Sequence, residues 1–286
     1  MKIINKNNTI SLIVAYNPDN ILVKCVDSLI HQTKKIIIVD NTKKPYIKRM
    51  ITKNKNIIIK ENMKNYGIGK ALNIGFKIAE EIGCDWVLTM DQDSIVDKGT
   101  IKNIGDIFSK SKITDNVGII GINFRSIISG RPFIKINSDK LFKETNVVIT
   151  SGSFCLIKCY DSVGKYNEEF FIEGVDIEYC LRAREKGYKI FITKEPMMTH
   201  KTGEMLERKI LWKTILVGNH SKERYYLMIK NITIICKKYA LKNINWFYEV
   251  ASGVAKTMLI VILYENNKMQ KVVSAIKGLR DGISKR

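Results

Sequence analysis

Two aspartates separated by one residue follow a short apolar run in the sequence. Asp91, Gln92 and Asp93 come directly after Asp85-Trp-Val-Leu-Thr-Met90, which is typical of a β-strand. Two carboxylates at this spacing can approach one divalent cation, and their hard oxygen atoms suit Mg²⁺ or Mn²⁺ bridging a diphosphate. Because Asp-x-Asp also occurs by chance in surface turns, the motif alone leaves a metal site and an ordinary turn both open.

A second acidic cluster, Glu-Gly-Val-Asp-Ile-Glu-Tyr-Cys-Leu-Arg, occupies residues 173–182. Asp176 lies at the start of a predicted helix, where an aspartate often serves as the N-cap. The alternative role is that of a general base, since a hydroxyl group that displaces a diphosphate needs a carboxylate to accept its proton. The residue type and its position are compatible with both roles.

His200 follows a predicted strand and is one of three histidines in the chain. A lone histidine is more often structural than a ligand. At the end of a strand, however, its imidazole is well placed to complete a metal site with the two aspartates. Both interpretations of His200 stay open.

The elements that must position these residues alternate between two patterns. Short β-type runs at residues 10–16, 35–39, 56–60 and 85–90 are separated by stretches with helical periodicity. Strands that alternate with helices predict an α/β fold, with a mostly parallel central sheet and helices on both faces. Later residues add β-type runs at 117–123, 147–157 and 188–192, and a helical pattern at 175–186.

Polar residues follow three of the early β-type runs. In open α/β sheets, ligands bind at the carboxyl ends of the strands, so residues that follow different strands meet at one rim. We therefore expect one ligand to touch three pairs of residues, namely Tyr16 and Asn17, Asp40 and Asn41, and Asp91 and Asp93.

The composition is that of a folded protein with an unusual charge. Among 286 residues, 45% are hydrophobic and 27% are charged, which excludes a disordered chain and a polytopic membrane protein. The net charge of +20 favours anionic partners, which include nucleic acid, anionic lipid and phosphorylated small molecules. Lysine-rich codon usage is the alternative explanation. Since no basic patch with interleaved aromatics occurs, we predict no nucleic-acid partner.

The cysteine pattern and the N-terminus indicate a reducing compartment. The six cysteines lie mostly within apolar runs and lack zinc-finger spacing, so we expect small buried hydrophobic residues and no disulfide framework. The first residues lack an apolar stretch of secretory length, and we expect a cytoplasmic protein. The cysteines are Cys25, Cys84, Cys155, Cys159, Cys180 and Cys236.

Residues 246–264 approach the length of a membrane-spanning helix but contain Glu249 and Lys256. A charged side chain such as lysine costs roughly 2.5–3.5 kcal/mol at the centre of a spanning helix on insertion scales. A helix that lies in the membrane interface, or one that docks on the rest of the protein, fits the sequence better. Ordinary core packing is the alternative.

Seven motifs in the chain, taken in their order, resemble those of family 2 glycosyltransferases of the GT-A fold. The resemblance extends over about residues 10–230 and is greatest to bacterial rhamnosyltransferases of cell-surface polysaccharide assembly. The motifs are Val14-Ala-Tyr-Asn-Pro-Asp19, Val39-Asp40-Asn41, Asn65-Tyr-Gly-Ile-Gly-Lys-Ala-Leu-Asn-Ile-Gly75, Met90-Asp-Gln-Asp-Ser94, Gly152-Ser-Phe, Val175-Asp-Ile-Glu-Tyr-Cys-Leu-Arg182 and Thr199-His200.

The resemblance implies a GT-A catalytic domain at residues 1–204. Its nucleotide-sugar half covers about 1–115 and its acceptor half about 116–204. The remaining residues, 205–286, form a basic helical C-terminal segment with the capacity to associate with a membrane. We therefore expect the protein at the inner face of the cell membrane.

The resemblance also implies roles for individual residues. Asp176 matches the catalytic base, with Glu173 as its rival because Val175 stands where the family generally has an acid. The metal ligands are expected to be Asp93, Asp91 and His200. The residues implied for binding the nucleotide-sugar are Tyr16, Asn17, Asp40, Asn41, Asn65, Gly67, Lys70, Asp91, Gln92, Arg224 and Tyr225.

The implied reaction is an inverting sugar transfer that depends on Mn²⁺ or Mg²⁺. The expected donor is dTDP-L-rhamnose, with a UDP-hexose as the alternative. The expected acceptor is a hydroxyl group of a glycan or of a polyprenyl-diphosphate-linked sugar. Further expected partners are an anionic membrane surface and, as one option, a second copy of the chain.

Overall fold

The computed structural model describes residues 2–111, 113, 116–127, 130–137, 140–200, 206–210 and 213–285. The chain divides into two compact units. The first comprises Met1–Phe171 and Val175–Lys201, and the second comprises Ile172–Gly174 and Thr202–Arg286. The boundary predicted after residue 204 falls on residues 201–205, outside the described residues.

The first unit is an α/β unit in which strands and helices alternate as predicted. Its strands are β1 (Thr9–Ala15), β2 (Lys35–Asp40), β3 (Ile57–Glu61), β4 (Trp86–Asp91), β5 (Ile95–Val96), β6 (Val117–Ser126), β7 (Phe142–Glu144), β8 (Ser153–Leu156) and β9 (Lys189–His200). Its helices are α1 (Ile21–Leu29), α2 (Ile47–Met50), α3 (Ile68–Ile82), α4 (Thr100–Lys110), α5 (Ile157–Val163) and α6 (Val175–Glu185).

These strands form one sheet in the order β3-β2-β1-β4-β8-β6-β9-β5, and β7 pairs with β9. The first four strands in this order are parallel. The strand β8 is antiparallel to both of its neighbours, and no helix lies between β6 and β8 among the described residues. The run predicted as a strand at residues 147–157 contributes only β8, since α5 begins at Ile157.

The sheet is buried because helices cover it. In β1, β2 and β4 the apolar side chains are almost entirely buried, as expected for central strands of an α/β sheet. Helix α3 packs its apolar side, which includes Leu72, Phe76 and Ala79, towards the sheet. Gly75 permits this close approach, because a Cβ atom there would overlap the Leu12 side chain.

The second unit is mainly helical. A hairpin of β10 (Leu206–Ile210) and β11 (Lys213–Val217) precedes α7 (Lys222–Tyr239), α8 (Ile244–Tyr264) and α9 (Lys268–Ser284). The C-terminal segment was predicted to be helical throughout, and the hairpin is the difference. Helices α7 and α9 pack closely at Gly278 and Gly282, where an added Cβ would meet backbone oxygen atoms of α7 at 2.4 and 2.8 Å.

Candidate active site

Three possible metal ligands converge at the end of β4. One ligand atom each from Asp91, Asp93 and His200 lies within 4.8 Å of the other two. The cause is topological: β5 follows the Asp-Gln-Asp motif directly and pairs antiparallel with the end of β9, with Ile95 opposite Thr199. This pairing brings His200 beside Asp93, with 3.7 Å between His200 Nδ1 and Asp93 Oδ1.

Two buried serines connect these residues. The hydroxyl of Ser94 lies 2.7 Å from His200 Nδ1 and 2.6 Å from the hydroxyl of Ser151. The Ser151 oxygen in turn accepts a hydrogen bond from the backbone N–H of Asp91 at 3.1 Å. Neither serine received a role from the sequence, where the only signal is that they adjoin the Asp-Gln-Asp and Gly-Ser-Phe motifs.

The protonation states favour binding of a cation. Burial lowers the pKa of the His200 imidazole, although the Asp93 carboxylate acts in the opposite direction. A neutral imidazole is the form that binds metals. Cys25 lies nearby, with its Sγ 3.7 Å from the Asp91 carbonyl oxygen, but burial and the charges of Asp93 and Asp91 raise the pKa of its thiol. Its thiol therefore favours the protonated form.

The donor set fits a divalent cation. Two carboxylates supply hard oxygen atoms, and His200 supplies a neutral nitrogen, a combination suited to Mn²⁺ and compatible with Mg²⁺. The Ser94 hydroxyl contacts Nδ1 of the imidazole and restrains the ring, as residues around metal ligands commonly do.

The neighbouring strand ends are tied together by Gln92. Its Oε1 atom accepts a hydrogen bond from the Tyr16 N–H at 2.8 Å, and its Nε2 atom donates to the Tyr16 carbonyl oxygen at 3.3 Å. Gln92 was expected to contact the nucleotide, and in the structure its amide binds the backbone of Tyr16, directly after β1. The Tyr16 ring is 49% exposed and offers a flat face to a ligand.

Asp40 and Asn41 lie at the adjoining end of β2. The buried Asp40 accepts a hydrogen bond from the Thr42 N–H at 2.8 Å through Oδ1, whereas its Oδ2 has no hydrogen-bond partner among the described residues. Such a buried acceptor without a partner is unusual in a folded protein. The Asn41 amide donates one hydrogen bond to the Gly67 carbonyl oxygen and accepts one from Asn62.

The turn before α3 supports this rim. Asn65 accepts a hydrogen bond from the Gly67 N–H at 3.0 Å, and Gly67 adopts a φ of 82° that favours glycine. A Cβ atom at Gly67 would also lie 2.5 Å from the Phe171 carbonyl oxygen. Lys70, which was expected to contact the nucleotide, is half-exposed and lies 3.7 Å from a Glu168 carboxylate oxygen.

A cavity of about 400 Å³ opens beside the ends of β1 and β2. It combines aromatic and cationic side chains, which suits a planar base attached to phosphates. Its two lysines, Lys43 and Lys44, follow directly after Thr42 and were not predicted. The lining residues are Tyr16, Asn17, Thr42, Lys43, Lys44 and Tyr46.

Helix α6 places Asp176 in its first turn, so the N-cap interpretation is wrong. The helix begins one residue earlier, at Val175, and the Asp176 Oδ1 atom accepts a hydrogen bond from the adjacent Ile177 N–H at 2.8 Å. Glu178 is buried and forms a paired contact with Arg182, at 2.9 Å to each nitrogen. It is therefore a structural residue.

Two residues of the second unit, Arg224 and Tyr225, were expected to bind the nucleotide-sugar, but the structure gives both of them partners within the protein. Tyr225 is buried, and its hydroxyl donates to Glu265 Oε1 at 2.7 Å, so its side chain is not offered to a nucleotide. Arg224 pairs through Nε with the Glu173 carboxylate at 2.6 Å. The Glu173 carbonyl oxygen accepts a further hydrogen bond from Asn231. Both Arg224 and the rival base are thus engaged within this unit.

Comparison with known proteins identifies relatives of the chain. The sequence profile of "Glycosyl transferase family 2" matches residues 11–162. The dTDP-rhamnosyl transferase RfbF of Shigella flexneri is 26% identical over 293 residues, which cover 97% of this chain and 96% of that protein.

Two solved structures have the same fold. The structure of GalNAc-T7 with UDP, GalNAc and Mn²⁺ has a TM-score of 0.60 at 14% sequence identity. The match covers 82% of this chain and 48%, about half, of GalNAc-T7. S. aureus TarS in complex with UDP-GlcNAc has a TM-score of 0.59 at 14% identity, covering 96% of this chain and 80% of that one. These similarities confirm the predicted GT-A fold.

Proposed function

Because the chain belongs to glycosyl transferase family 2, we propose that it transfers L-rhamnose from dTDP-L-rhamnose to a hydroxyl group of a glycan or lipid-linked acceptor. The transfer inverts the configuration of the anomeric carbon. The observation that carries the proposal is the convergence of Asp91, Asp93 and His200 within 4.8 Å, at the same sheet edge as the nucleotide-binding rim.

The rim supports a donor with a pyrimidine base. The buried Asp40 Oδ2 atom is an acceptor without a partner among the described residues, and the imide N–H of thymine or uracil is a matching donor. The exposed ring of Tyr16 would stack on the base, and Lys43 and Lys44 would face the phosphates. Thymine is preferred to uracil because the relative from Shigella flexneri is named for dTDP-rhamnose.

The proposed reaction needs a cation site and a general base, and different residues supply them. Asp91, Asp93 and His200 would hold a divalent cation, which supplies positive charge to the departing diphosphate when bound. Asp176 accepts the proton of the attacking hydroxyl group. Its place in the first turn of α6 leaves a carboxylate at the positive end of a helix dipole. A direct attack on the anomeric carbon needs only this one base and therefore inverts the configuration.

A donor panel tests the proposal. The purified chain is incubated with dTDP-L-rhamnose, UDP-glucose or UDP-N-acetylglucosamine, each with Mn²⁺ or Mg²⁺ and a lipid extract as acceptor. Mass spectrometry of the released nucleotide should detect dTDP from the rhamnose donor. Release of UDP alone would show that the donor is a UDP-hexose and not dTDP-L-rhamnose. Absence of release from every donor would refute the transferase assignment.

A further inference from the structure

Helix α9 exposes a continuous apolar face. Five apolar side chains recur at helical spacing along one side of this helix, and each is between 46% and 73% exposed. The opposite side packs on α7 through Gly278 and Gly282. The exposed face therefore lies away from the contact with α7. The five residues are Met269, Val273, Ile276, Leu279 and Ile283.

Helix α8 is apolar as well, and little of it is buried. It has 21 residues, and its most apolar 18-residue window has a mean hydropathy of 1.4 and is only 11% buried. By length and composition it is the one helix among the described residues that qualifies to cross a membrane. Tyr248, Leu259 and Ile262 are exposed on one side of it.

The charges of α8 argue against a spanning orientation. Glu249 and Lys256 are exposed and seven residues apart, so both lie along one edge of the helix. A spanning helix would place Lys256 in hydrocarbon, where a charged side chain is strongly disfavoured. A helix in the plane of the interface keeps this edge in water and buries the apolar side.

A groove between α7, α8 and α9 continues the apolar surface. Its volume is about 630 Å³, and nearly all of its lining is apolar, including Phe247 and Met258 from α8. Ile276 and Leu279 belong both to this groove and to the exposed face of α9. The groove is thus open to the same surroundings as the exposed face and has room for hydrocarbon chains.

Basic residues surround these apolar surfaces. From Lys222 to Lys285 the sequence has twelve Lys and Arg against four Asp and Glu. Lys268 and Lys277 are exposed on α9. In the loop between α7 and α8, Leu241 is 97% exposed beside Lys242. An apolar face with a cationic border matches an anionic lipid surface, whose head groups pair with lysine and whose chains accept the apolar residues.

We propose that α8 and α9 form a lipid-binding surface that lies in the head-group region of an anionic bilayer. The exposed face of α9 and the apolar side of α8 enter the interface, and hydrocarbon chains of the same bilayer occupy the groove. The proposal goes beyond sugar transfer, since lipid binding can be measured without donor or acceptor.

Vesicle flotation with the full chain tests this surface. The chain should float with vesicles of phosphatidylglycerol and phosphatidylethanolamine, and much less with phosphatidylcholine vesicles. Val273→Asp combined with Ile276→Asp should weaken binding at least tenfold, because two exposed apolar groups are removed from the interface. Ile127→Asp is the matched control, since Ile127 is similarly exposed but lies in the α/β unit. Circular dichroism checks that each variant is folded.

Charge variants test the lipid preference independently. Lys268→Gln combined with Lys277→Gln should weaken binding to the anionic vesicles roughly thirty-fold, as expected for the loss of two lysines near the surface. Lys53→Gln with Lys55→Gln changes the net charge equally in exposed residues of the α/β unit and should have little effect. Equal losses for both pairs would show a charge effect without a specific surface and would refute the proposal.

Three other outcomes would also overturn the proposal. Resistance of the bound chain to alkaline carbonate would indicate a spanning helix instead of an interfacial one. The native chain could form a stable dimer in solution while the Val273→Asp, Ile276→Asp variant is monomeric. This result would assign the exposed face of α9 to self-association. Failure to float with anionic vesicles would exclude lipid binding. None of these results depends on donor turnover. The lipid-binding proposal can therefore be refuted without refuting the proposed sugar transfer.

Discussion

The Oγ atom of Ser94 lies 2.7 Å from Nδ1 of His200, although 106 positions separate the two residues in the sequence. Ser94 also contacts the Ser151 hydroxyl, which accepts a hydrogen bond from the backbone of Asp91. Two of the three proposed metal ligands are therefore joined by a chain of buried hydroxyl groups. This arrangement restrains the imidazole before any cation arrives, which lowers the entropy lost on binding.

Ser94→Ala should lower the affinity for Mn²⁺. Removal of the hydroxyl releases the His200 ring, and loss of a supporting partner typically weakens metal binding roughly 10–100-fold. Isothermal titration with Mn²⁺ measures the effect without donor turnover. Ser109→Ala is the control, because this serine is exposed on α4. Equal Mn²⁺ affinity in both variants would show that the hydroxyl chain has no part in cation binding.

Asp93→Ala should abolish both metal binding and turnover. It removes one of the two carboxylates in the cluster and leaves only Asp91 and His200 to hold a cation. Electron paramagnetic resonance of Mn²⁺ quantifies the bound ion. Asp106→Ala, at an exposed position of α4, should bind Mn²⁺ as the native chain does. Unchanged Mn²⁺ affinity in Asp93→Ala would contradict the ligand assignment.

Asp176→Asn should separate catalysis from donor binding. The amide cannot accept the proton of the acceptor, so kcat should fall roughly 10²–10⁴-fold while the donor Kd stays nearly constant. Glu173→Gln is the matched comparison and should retain most of the turnover, since the Glu173 carboxylate is held by Arg224. The reverse result, with turnover lost only in Glu173→Gln, would transfer the base assignment to Glu173.

Asp40→Asn should weaken binding of dTDP in the absence of acceptor. The substitution removes the charge from a buried acceptor, and a hydrogen bond to a charged group contributes roughly 1.5–3 kcal/mol. We expect dTDP affinity to fall about tenfold or more, measured by calorimetry. Asp27→Asn, which changes an exposed aspartate of α1, provides the control. A native dTDP affinity in Asp40→Asn would exclude contact between Asp40 and the base.

The stability of the helical unit should depend on pH through Glu265. Burial acts to raise the pKa of the Glu265 carboxyl, but hydrogen bonds from Lys271, Tyr225 and the Asn219 N–H outweigh burial and lower the pKa. A carboxyl whose pKa is lower in the folded chain stabilises the fold at higher pH. This contribution is lost as the pH falls through the folded-state value.

Glu265→Gln should therefore destabilise the chain by roughly 3 kcal/mol at pH 7, because it leaves the buried Lys271 without its counter-charge. Urea denaturation followed by circular dichroism measures the free energy of unfolding. The difference from the native chain should shrink as the pH falls through the lowered folded-state pKa of Glu265. Glu249→Gln, at an exposed position of α8, should change stability little at either pH. A difference that does not vary with pH would exclude the ionic contribution.

The rim of strand ends was predictable because it follows from local pattern. Each β-type run ends in a polar pair, and parallel strands carry these pairs to one edge. The structure places the ends of β1, β2 and β4 side by side, with Val14 opposite both Val39 and Asp91. The sequence was sufficient here because the connections between these strands are short and helical.

The supporting contacts were not predictable, because each joins residues far apart in sequence. Ser151 reaches the Asp91 N–H across 60 positions, and nothing in its local sequence marks a serine that faces a strand end. The sequence predicted that Tyr225 binds a ligand, because its actual partner, Glu265, lies 40 positions away. The antiparallel strand β8 was likewise predicted as part of a mostly parallel sheet, since strand direction depends on the route of the chain.

The pairing of β5 with the last residues of β9 has a consequence for biosynthesis. A nascent chain that has emerged through residue 126 already contains β1 to β6, with both aspartates of the cation cluster. The third proposed ligand, His200, is added only when residue 200 leaves the ribosome and β9 pairs with β5. Until then the growing polypeptide lacks one of the three proposed ligands, and the arrival of His200 coincides with completion of the α/β unit.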